Sequence, residues 1–179
     1  MDTLCRLMLP ELPQTIDPKA LARKGATIEG QYAVGDLHRL CEVLADHSCL
    51  VSFRLEFGQD KDKKHCFVTG TIEAILKTVC QRCLEEMELR ISSPVFLGVI
   101  SNQGEAVGLP DACEPLFLDS DSMSLPTLIE DELILALPIS AMHEADECAA
   151  TSVLHSINTA ARKNPFAALK GFKQKTRNA

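Results

Sequence analysis

Two cysteines three positions apart, Cys80 and Cys83, are the residues whose type and spacing point most directly to chemistry in this sequence. They lie between two runs, residues 69–79 and 84–91, in which apolar and polar side chains alternate. Alternation is typical of half-buried β-strands, so the Cys-x-x-Cys pair is predicted to lie at a hairpin turn. Two thiols at such a turn supply half of a tetrahedral structural zinc site.

The other half of a zinc site requires two more ligands, and His143 and Cys148 are the best candidates. Imidazole and thiolate both bind zinc well, so these two residues and the Cys80–Cys83 pair together predict a Cys3His structural site. The alternative is a thiol-bearing turn with an unrelated histidine, and the sequence leaves both open. A redox dithiol is disfavoured, because a hairpin turn lacks the helix N-terminus that lowers a thiol pKa.

A basic C-terminal segment is the second candidate site, because no acidic residue occurs between Arg162 and Arg177. The predicted contacts to RNA or to a partner are the cations Arg82, Lys163, Lys170, Lys173, Lys175 and Arg177. The contrast between an acidic body and a basic segment suggests separate roles. The alternative is a solvated tail without a binding role.

Three successive acids, Glu130, Asp131 and Glu132, do not form a catalytic group, because neighbouring side chains do not share one helix face. They are predicted to be charges of a first helical turn, or an acidic patch that meets a basic partner. The sequence has no phosphate-binding glycine loop and no nucleophile-elbow motif. We therefore expect that the protein is not an enzyme.

The elements that must position these residues are predicted from hydrophobic periodicity. Strands are predicted over residues 4–12, 27–34, 49–57, 66–79 and 84–100, the last bent at Pro94. Helices are predicted over residues 17–25, 36–44 and 127–137, the first two capped by Asp17 and Asp36. Residues 101–124 read as a loop with an edge strand, and residues 146–158 as weakly structured.

These elements predict an α+β fold: a mostly antiparallel sheet, curled or closed into a partial barrel, with two or three packed helices and a basic C-terminal tail. Residues 1–150 are predicted to form a single α+β domain that contains the Cys-x-x-Cys hairpin. Residues 151–179 are predicted to form the basic C-terminal extension.

Composition limits the functions and locations open to the chain. The formal net charge is −7, which disfavours nonspecific binding to polyanions, and one Tyr with no Trp leaves few platforms for stacking bases. Met1–Leu9 does not resemble a secretory signal, and no apolar run reaches the ~20 residues of a membrane span. The eight cysteines are therefore expected to be reduced, in a cytoplasmic protein without membrane contact.

Four segments occur here in a characteristic order: the Val79–Cys83 stretch, residues 130–138, His143 followed by Cys148, and residues 163–169. In this combination the sequence resembles the YceD family, the large ribosomal RNA subunit accumulation proteins of bacteria and chloroplasts. The resemblance runs from about Leu9 to the C-terminus. Many members of the wider family have cysteines where this chain has His143 and Cys148.

The resemblance implies a non-enzymatic ribosome-biogenesis factor that supports the synthesis, processing or stability of large-subunit rRNA. Its expected partner is that rRNA or a large-subunit ribosomal protein, with no small-molecule substrate and no catalytic residues. An alternative, favoured by the net charge of −7, is an acidic interaction module or chaperone. Such a module would hold a basic ribosomal protein during large-subunit assembly.

Overall fold

The structure is a computed structural model that describes residues 12–44, 46–62, 64–159, 166, 167 and 169. The strand predicted over residues 4–12 lies outside the described residues, except for Leu12. The same holds for five cations of the C-terminal segment: Lys163, Lys170, Lys173, Lys175 and Arg177.

The described chain combines a five-stranded sheet with five α-helices. The strands are β1 (Thr15–Ile16), β2 (Thr27–Ala33), β3 (Leu50–Gln59), β4 (Cys66–Val79), β5 (Glu86–Ile100), β6 (Glu114–Phe117) and β7 (Met123–Ser124). The helices are α1 (Pro18–Lys24), α2 (His38–Cys41), α3 (Gln103–Ala106), α4 (Leu125–Ala136) and α5 (Thr151–Thr159). None of the described helices has the length and apolar content needed to span a membrane.

The main sheet has the strand order β2-β3-β4-β5-β6, with antiparallel pairing from β2 to β5 and parallel pairing of β6 with β5. Its two ends are different strands, so the curled sheet stays open, and β1 and β7 form a separate antiparallel pair. The predicted α+β class with a mostly antiparallel sheet is confirmed. Pro94 pairs with Thr71 of β4, in a part of β5 that does not pair with β6. Proline has no backbone N–H, and at this position no hydrogen bond to a second neighbouring strand is lost.

Strict alternation builds the core face of β3 and β4. The buried side chains are Val51, Phe53, Leu55, Phe57, Val68, Ile72, Ala74 and Leu76. Between them stands Gly70, opposite Leu55, with φ +158°. A β-carbon at that position would collide with the carbonyl oxygen of Arg54, so only glycine keeps the two strands paired there.

Helices α1 and α4 pack on the sheet. The Asp17 side chain caps α1 by accepting a hydrogen bond from the N–H of Ala20 at 2.8 Å, and Gly25 ends the helix with φ +60°, as predicted. Helix α4 begins at a cap from Ser124, and it buries Leu125 and three further apolar side chains: Leu128, Ile129 and Leu133. It ends shortly before Pro138, as the proline predicts.

The helix predicted over 36–44 is present but shorter than predicted, and the Asp36 cap is wrong. Val34–Asp36 form a 3-10 turn, and α2 is a single turn whose N-cap, Leu37, makes no side-chain cap hydrogen bond. Its amide groups are satisfied from a distant helix instead: the buried carboxylate of Glu130 in α4 accepts from Arg39 N at 2.7 Å and from Leu40 N at 3.1 Å.

The prediction that the three acids are charges of the first turn of α4 is wrong, because none of them lies in that turn. Glu130 joins two helices, while Asp131 forms an ion pair with the side chain of Arg39 at the surface.

One further prediction is corrected by local structure, and another is confirmed. Residues 146–158 are not weakly structured throughout, because most of them belong to α5. The edge strand expected within 101–124 exists as β6, but it runs parallel to β5, and the short helix α3 makes the connection.

Candidate metal centre

The Cys-x-x-Cys pair lies at the turn between β4 and β5, as predicted. The turn is closed by backbone hydrogen bonds from Cys80 N to Glu85 O and from Leu84 N to Cys80 O, both at 2.9 Å. Leu84 adopts φ +63°, a left-handed conformation that is costly for a residue with a branched side chain. This backbone path turns both cysteine side chains toward the same side.

The second half of the site comes from the chain that follows α4. The N–H of Gln81 donates to Ala141 O at 2.8 Å, and the N–H of His143 donates to Cys80 Sγ at 3.4 Å. A turn then brings back Cys148, whose N–H bonds to Glu144 O at 3.1 Å. The hairpin and the chain after α4 are thus joined by hydrogen bonds before any metal is considered.

The four predicted ligands converge. One ligand atom each from Cys80, Cys83, His143 and Cys148 lies within 4.8 Å of every other. His143 Nδ1 and Cys83 Sγ are 3.3 Å apart, and the Cys80 and Cys148 side chains are buried. In a tetrahedral zinc–thiolate site the sulfur atoms are about 3.8 Å apart, so small side-chain rotations suffice to close this cluster on an ion. The donor set and its spacing therefore fit zinc.

Arg82 lies inside this cluster. Its Nε donates to Cys148 Sγ at 3.0 Å, and its Nη2 donates to the carbonyl oxygens of His143 at 2.7 Å and Glu144 at 3.3 Å. A guanidinium so placed stabilises a thiolate and holds the loop that carries two ligands. Nothing in the sequence pattern signals this contact, because the direction of a side chain in a turn is set by its tertiary partners.

Hydrogen bonds prepare the site for thiolates, the form that binds metal. Burial opposes the Cys80 thiolate, but backbone N–H groups outweigh it and lower the pKa of Cys80. For Cys148 burial is likewise outweighed, by a backbone N–H and by Arg82, so its pKa is lowered. A backbone N–H favours the Cys83 thiolate, yet burial and the adjacent thiols raise its pKa overall.

The pKa of the His143 imidazole is shifted in the opposite direction to the pKa values of Cys80 and Cys148. Burial alone disfavours the charged ring of His143, but the nearby sulfurs of Cys80 and Cys148 more than compensate, so the pKa of His143 is raised. A metal ion bound here would displace the protons of the thiols and of the imidazole, because it binds thiolate and neutral imidazole.

Comparison with known proteins agrees with the resemblance noted in the sequence. The sequence model of the family described as "Large ribosomal RNA subunit accumulation protein YceD" matches residues 68–173, a segment that contains the whole cluster. A protein of Haemophilus influenzae named "Large ribosomal RNA subunit accumulation protein YceD" is 31% identical over 175 residues, which cover 92% of this chain and 98% of that protein. No solved structure matches the chain. From the family match and the near full-length similarity to this relative, we conclude that the chain belongs to the YceD family.

Proposed function

We propose that this protein is a non-enzymatic ribosome-biogenesis factor that supports the synthesis, processing or stability of large-subunit rRNA. The observation that carries the proposal is the similarity over 92% of the chain to a relative named for large ribosomal RNA subunit accumulation. A factor of this kind works by binding, and we expect it to act in the cytoplasm with the rRNA or a large-subunit ribosomal protein as its partner.

Zinc is the proposed structural cofactor, held by Cys80, Cys83, His143 and Cys148. A closed four-ligand site supplies no catalysis; it crosslinks the chain. Here it would tie the β4–β5 turn to the loop after α4, which the hydrogen bond between Gln81 and Ala141 already brings together.

The sequence predicts RNA contacts at Arg82 and at the C-terminal cations Lys163, Lys170, Lys173, Lys175 and Arg177. Three hydrogen bonds already engage the Arg82 guanidinium, so we assign the phosphate contact to the C-terminal cations. Such contacts release counterions, and each neutralised phosphate makes binding more sensitive to salt.

A deletion strain tests the proposed function. Sucrose-gradient analysis should show large-subunit rRNA reduced relative to small-subunit rRNA, and wild-type protein should restore it. Replacing Lys170, Lys173 and Lys175 with glutamine should weaken restoration. The matched control replaces Lys24, Lys61 and Lys64, which lie in the body of the protein, and should restore fully. Unchanged rRNA in the deletion strain contradicts the proposal.

Metal analysis tests the cofactor. Protein purified under reducing conditions should contain about one zinc per chain, and Cys80→Ser should remove it. Cys49→Ser is the control, because Cys49 is half-buried outside the cluster. If the wild-type protein contains no zinc, the proposed metal site is wrong and these residues belong to an ordinary hydrogen-bonded turn.

A second candidate function is an acidic module that holds a basic ribosomal protein during large-subunit assembly. It is favoured by the net charge of −7 and by the inward direction of Arg82, which leaves the turn without an outward cation. Binding to naked RNA separates the two functions: a direct RNA binder loses affinity steeply with salt, and a protein holder ignores RNA.

A further inference from the structure

The outer surface of the metal centre exposes large apolar side chains. Leu84 is 74% exposed, Met142 is 50% exposed, and Ile139 is fully exposed. In most folded proteins such side chains are covered, and a cluster of exposed ones usually marks a binding surface.

The three side chains lie in one region of the surface because the two segments that carry them are hydrogen-bonded together. Gln81 N bonds to Ala141 O, the residue before Met142, and Leu84 N bonds to Cys80 O in the same turn. We call the exposed residues of this region the knuckle surface: Leu84, Ile139 and Met142 with the acids Glu85, Glu86, Glu88, Glu144, Asp146 and Glu147.

The exposed Leu84 has an unfavourable backbone conformation. A leucine with φ +63° strains the backbone, and glycine would hold the same turn without strain. The side chain gains little burial within the chain that offsets this, since it is mostly exposed. Backbone strain of this kind clusters at sites that contact ligands.

The charge around the apolar side chains is strongly negative. All six acids of the knuckle surface are exposed, and none of them forms an ion pair with another described residue. Arg82 is the one Lys or Arg within residues 80–89 and 139–150, and its guanidinium bonds inward to Cys148 and two carbonyl oxygens. Lys77 lies opposite Glu88 across β4 and β5, but its ammonium group is paired with Asp46. This surface repels a phosphate backbone and attracts cations.

We propose that the knuckle surface binds a cationic protein segment in which apolar side chains alternate with lysine or arginine. The apolar side chains cover Leu84, Ile139 and Met142, and the cations meet the surrounding carboxylates. The inference rests on the proposed role in large-subunit assembly for its cellular setting, and it names the surface and the chemistry of the partner. The turn between β4 and β5 and the loop after α4, which are joined by hydrogen bonds, form the base beneath it.

The probe is a fluorescein-labelled peptide of alternating lysine and leucine, titrated into the full-length protein and followed by fluorescence anisotropy. A glutamate–leucine peptide and a single-stranded RNA oligonucleotide are the competing ligands. We expect the lysine peptide to bind, and the other two not to bind at this surface.

Leu84→Gly removes the side chain and relieves the backbone, so it tests binding without threatening the fold. It should weaken peptide binding by about tenfold, as loss of an apolar anchor does. Replacing Glu85, Glu86 and Glu88 with glutamine should weaken binding by a similar factor. Zinc content should stay at the wild-type level in both variants.

The matched controls lie at the other end of the sheet, roughly 45 Å away along the 15 residues of β5. Val107→Ala removes most of a comparably exposed apolar side chain, and the triple control Asp111→Asn, Asp119→Asn, Asp121→Asn removes the same charge from exposed positions. Both should bind the peptide within about twofold of wild type.

Three outcomes overturn the proposal. The first is equal weakening of peptide binding in the variants and the controls, and the second is no peptide binding by the wild type. The third is RNA binding that Leu84→Gly reduces. The titration uses purified components, so its failure leaves the rRNA phenotype of the deletion strain as it was. An unchanged rRNA phenotype with intact peptide binding overturns the proposed function alone.

Discussion

The interior of the sheet and the metal centre are ordered by different forces. The core face of β3 and β4 is made of apolar side chains such as Leu55 and Ile72, which are fully buried. At the metal centre the close contacts are between sulfur, nitrogen and backbone N–H groups, for example Arg82 with Cys148. Burial of apolar surface accounts for the first region, and directed polar contacts account for the second.

Because different interactions hold the two regions together, we expect that one region can be destabilised without the other. We expect the sheet, with its apolar core, to fold without the centre, and the loop after α4 to depend on its contacts with the turn. Five measurements either break this separation or sharpen it.

Removal of the metal should have the largest effect. At free zinc 1,000-fold above the dissociation constant, zinc raises the free energy of unfolding by about 4 kcal/mol, provided the unfolded chain does not bind it. Urea unfolding with and without a chelator measures the difference. The metal-free protein should still unfold cooperatively from native-like circular dichroism, because the sheet persists. Complete loss of secondary structure on chelation contradicts the separation of the two regions.

Leu55→Ala should cost ~2–5 kcal/mol of unfolding free energy, because it opens a cavity in a fully buried part of β3. Leu50→Ala on the same strand is the control, since Leu50 is 54% exposed, and its cost should be much smaller. Zinc content should be unchanged in both proteins. Loss of zinc in Leu55→Ala would show that the core positions the ligands more tightly than the contacts suggest.

The elements that follow a local pattern were predictable. Alternation over 66–79 locates β4 to the residue, and Asp17, Pro18 and Gly25 mark both ends of α1. The convergence of Cys80, Cys83, His143 and Cys148 was predicted from ligand chemistry and from Pro138 ending α4. In these cases the cause of the structure lies within a few residues, or in the needs of one ion.

The missed features depend on partners far apart in the chain. Glu130 caps α2 across 91 positions, and a run of three acids gives no sign of which one is buried. The direction of Arg82 and the parallel pairing of β6 likewise follow from packing that no local pattern encodes. Tertiary contacts decide such features, so they require the structure.

Glu130→Ala tests the most distant of these contacts. It leaves the N–H groups of Arg39 and Leu40 without their acceptor, and hydrogen bonds to a charged group contribute about 1.5–3 kcal/mol each in net terms. Two such bonds are lost, so we expect a loss of at least about 3 kcal/mol in urea unfolding. The neighbouring variant Asp131→Ala loses only a surface ion pair with Arg39 and should cost less than about 1 kcal/mol. Equal costs would place the effect in α4 itself.

Tyr32→Phe should change stability least, and in the stabilising direction. The Tyr32 ring stacks on Phe53 with centroids 5.5 Å apart, and its hydroxyl is buried without a hydrogen-bond partner among the described residues. The variant keeps the stacking and removes the unpaired group, so we expect a gain of about 1 kcal/mol. A loss of stability would mean that the hydroxyl has a partner, such as an ordered water.

The pH dependence of this gain distinguishes desolvation from other causes. Burial raises the pKa of Tyr32, so above pH ~10 the unfolded chain loses the phenolic proton while the folded chain keeps it. The unfolded state then binds fewer protons, and the wild type loses stability as pH rises from there toward the folded pKa. Tyr32→Phe has no such group, so the gap between the two proteins should widen above pH ~10 and stay constant below it. Because Tyr32 is the single tyrosine and the chain has no tryptophan, tyrosinate absorbance reports its ionisation directly. If the difference in stability between the two proteins does not change through this range, the Tyr32 hydroxyl is in contact with solvent and does not belong to the apolar core.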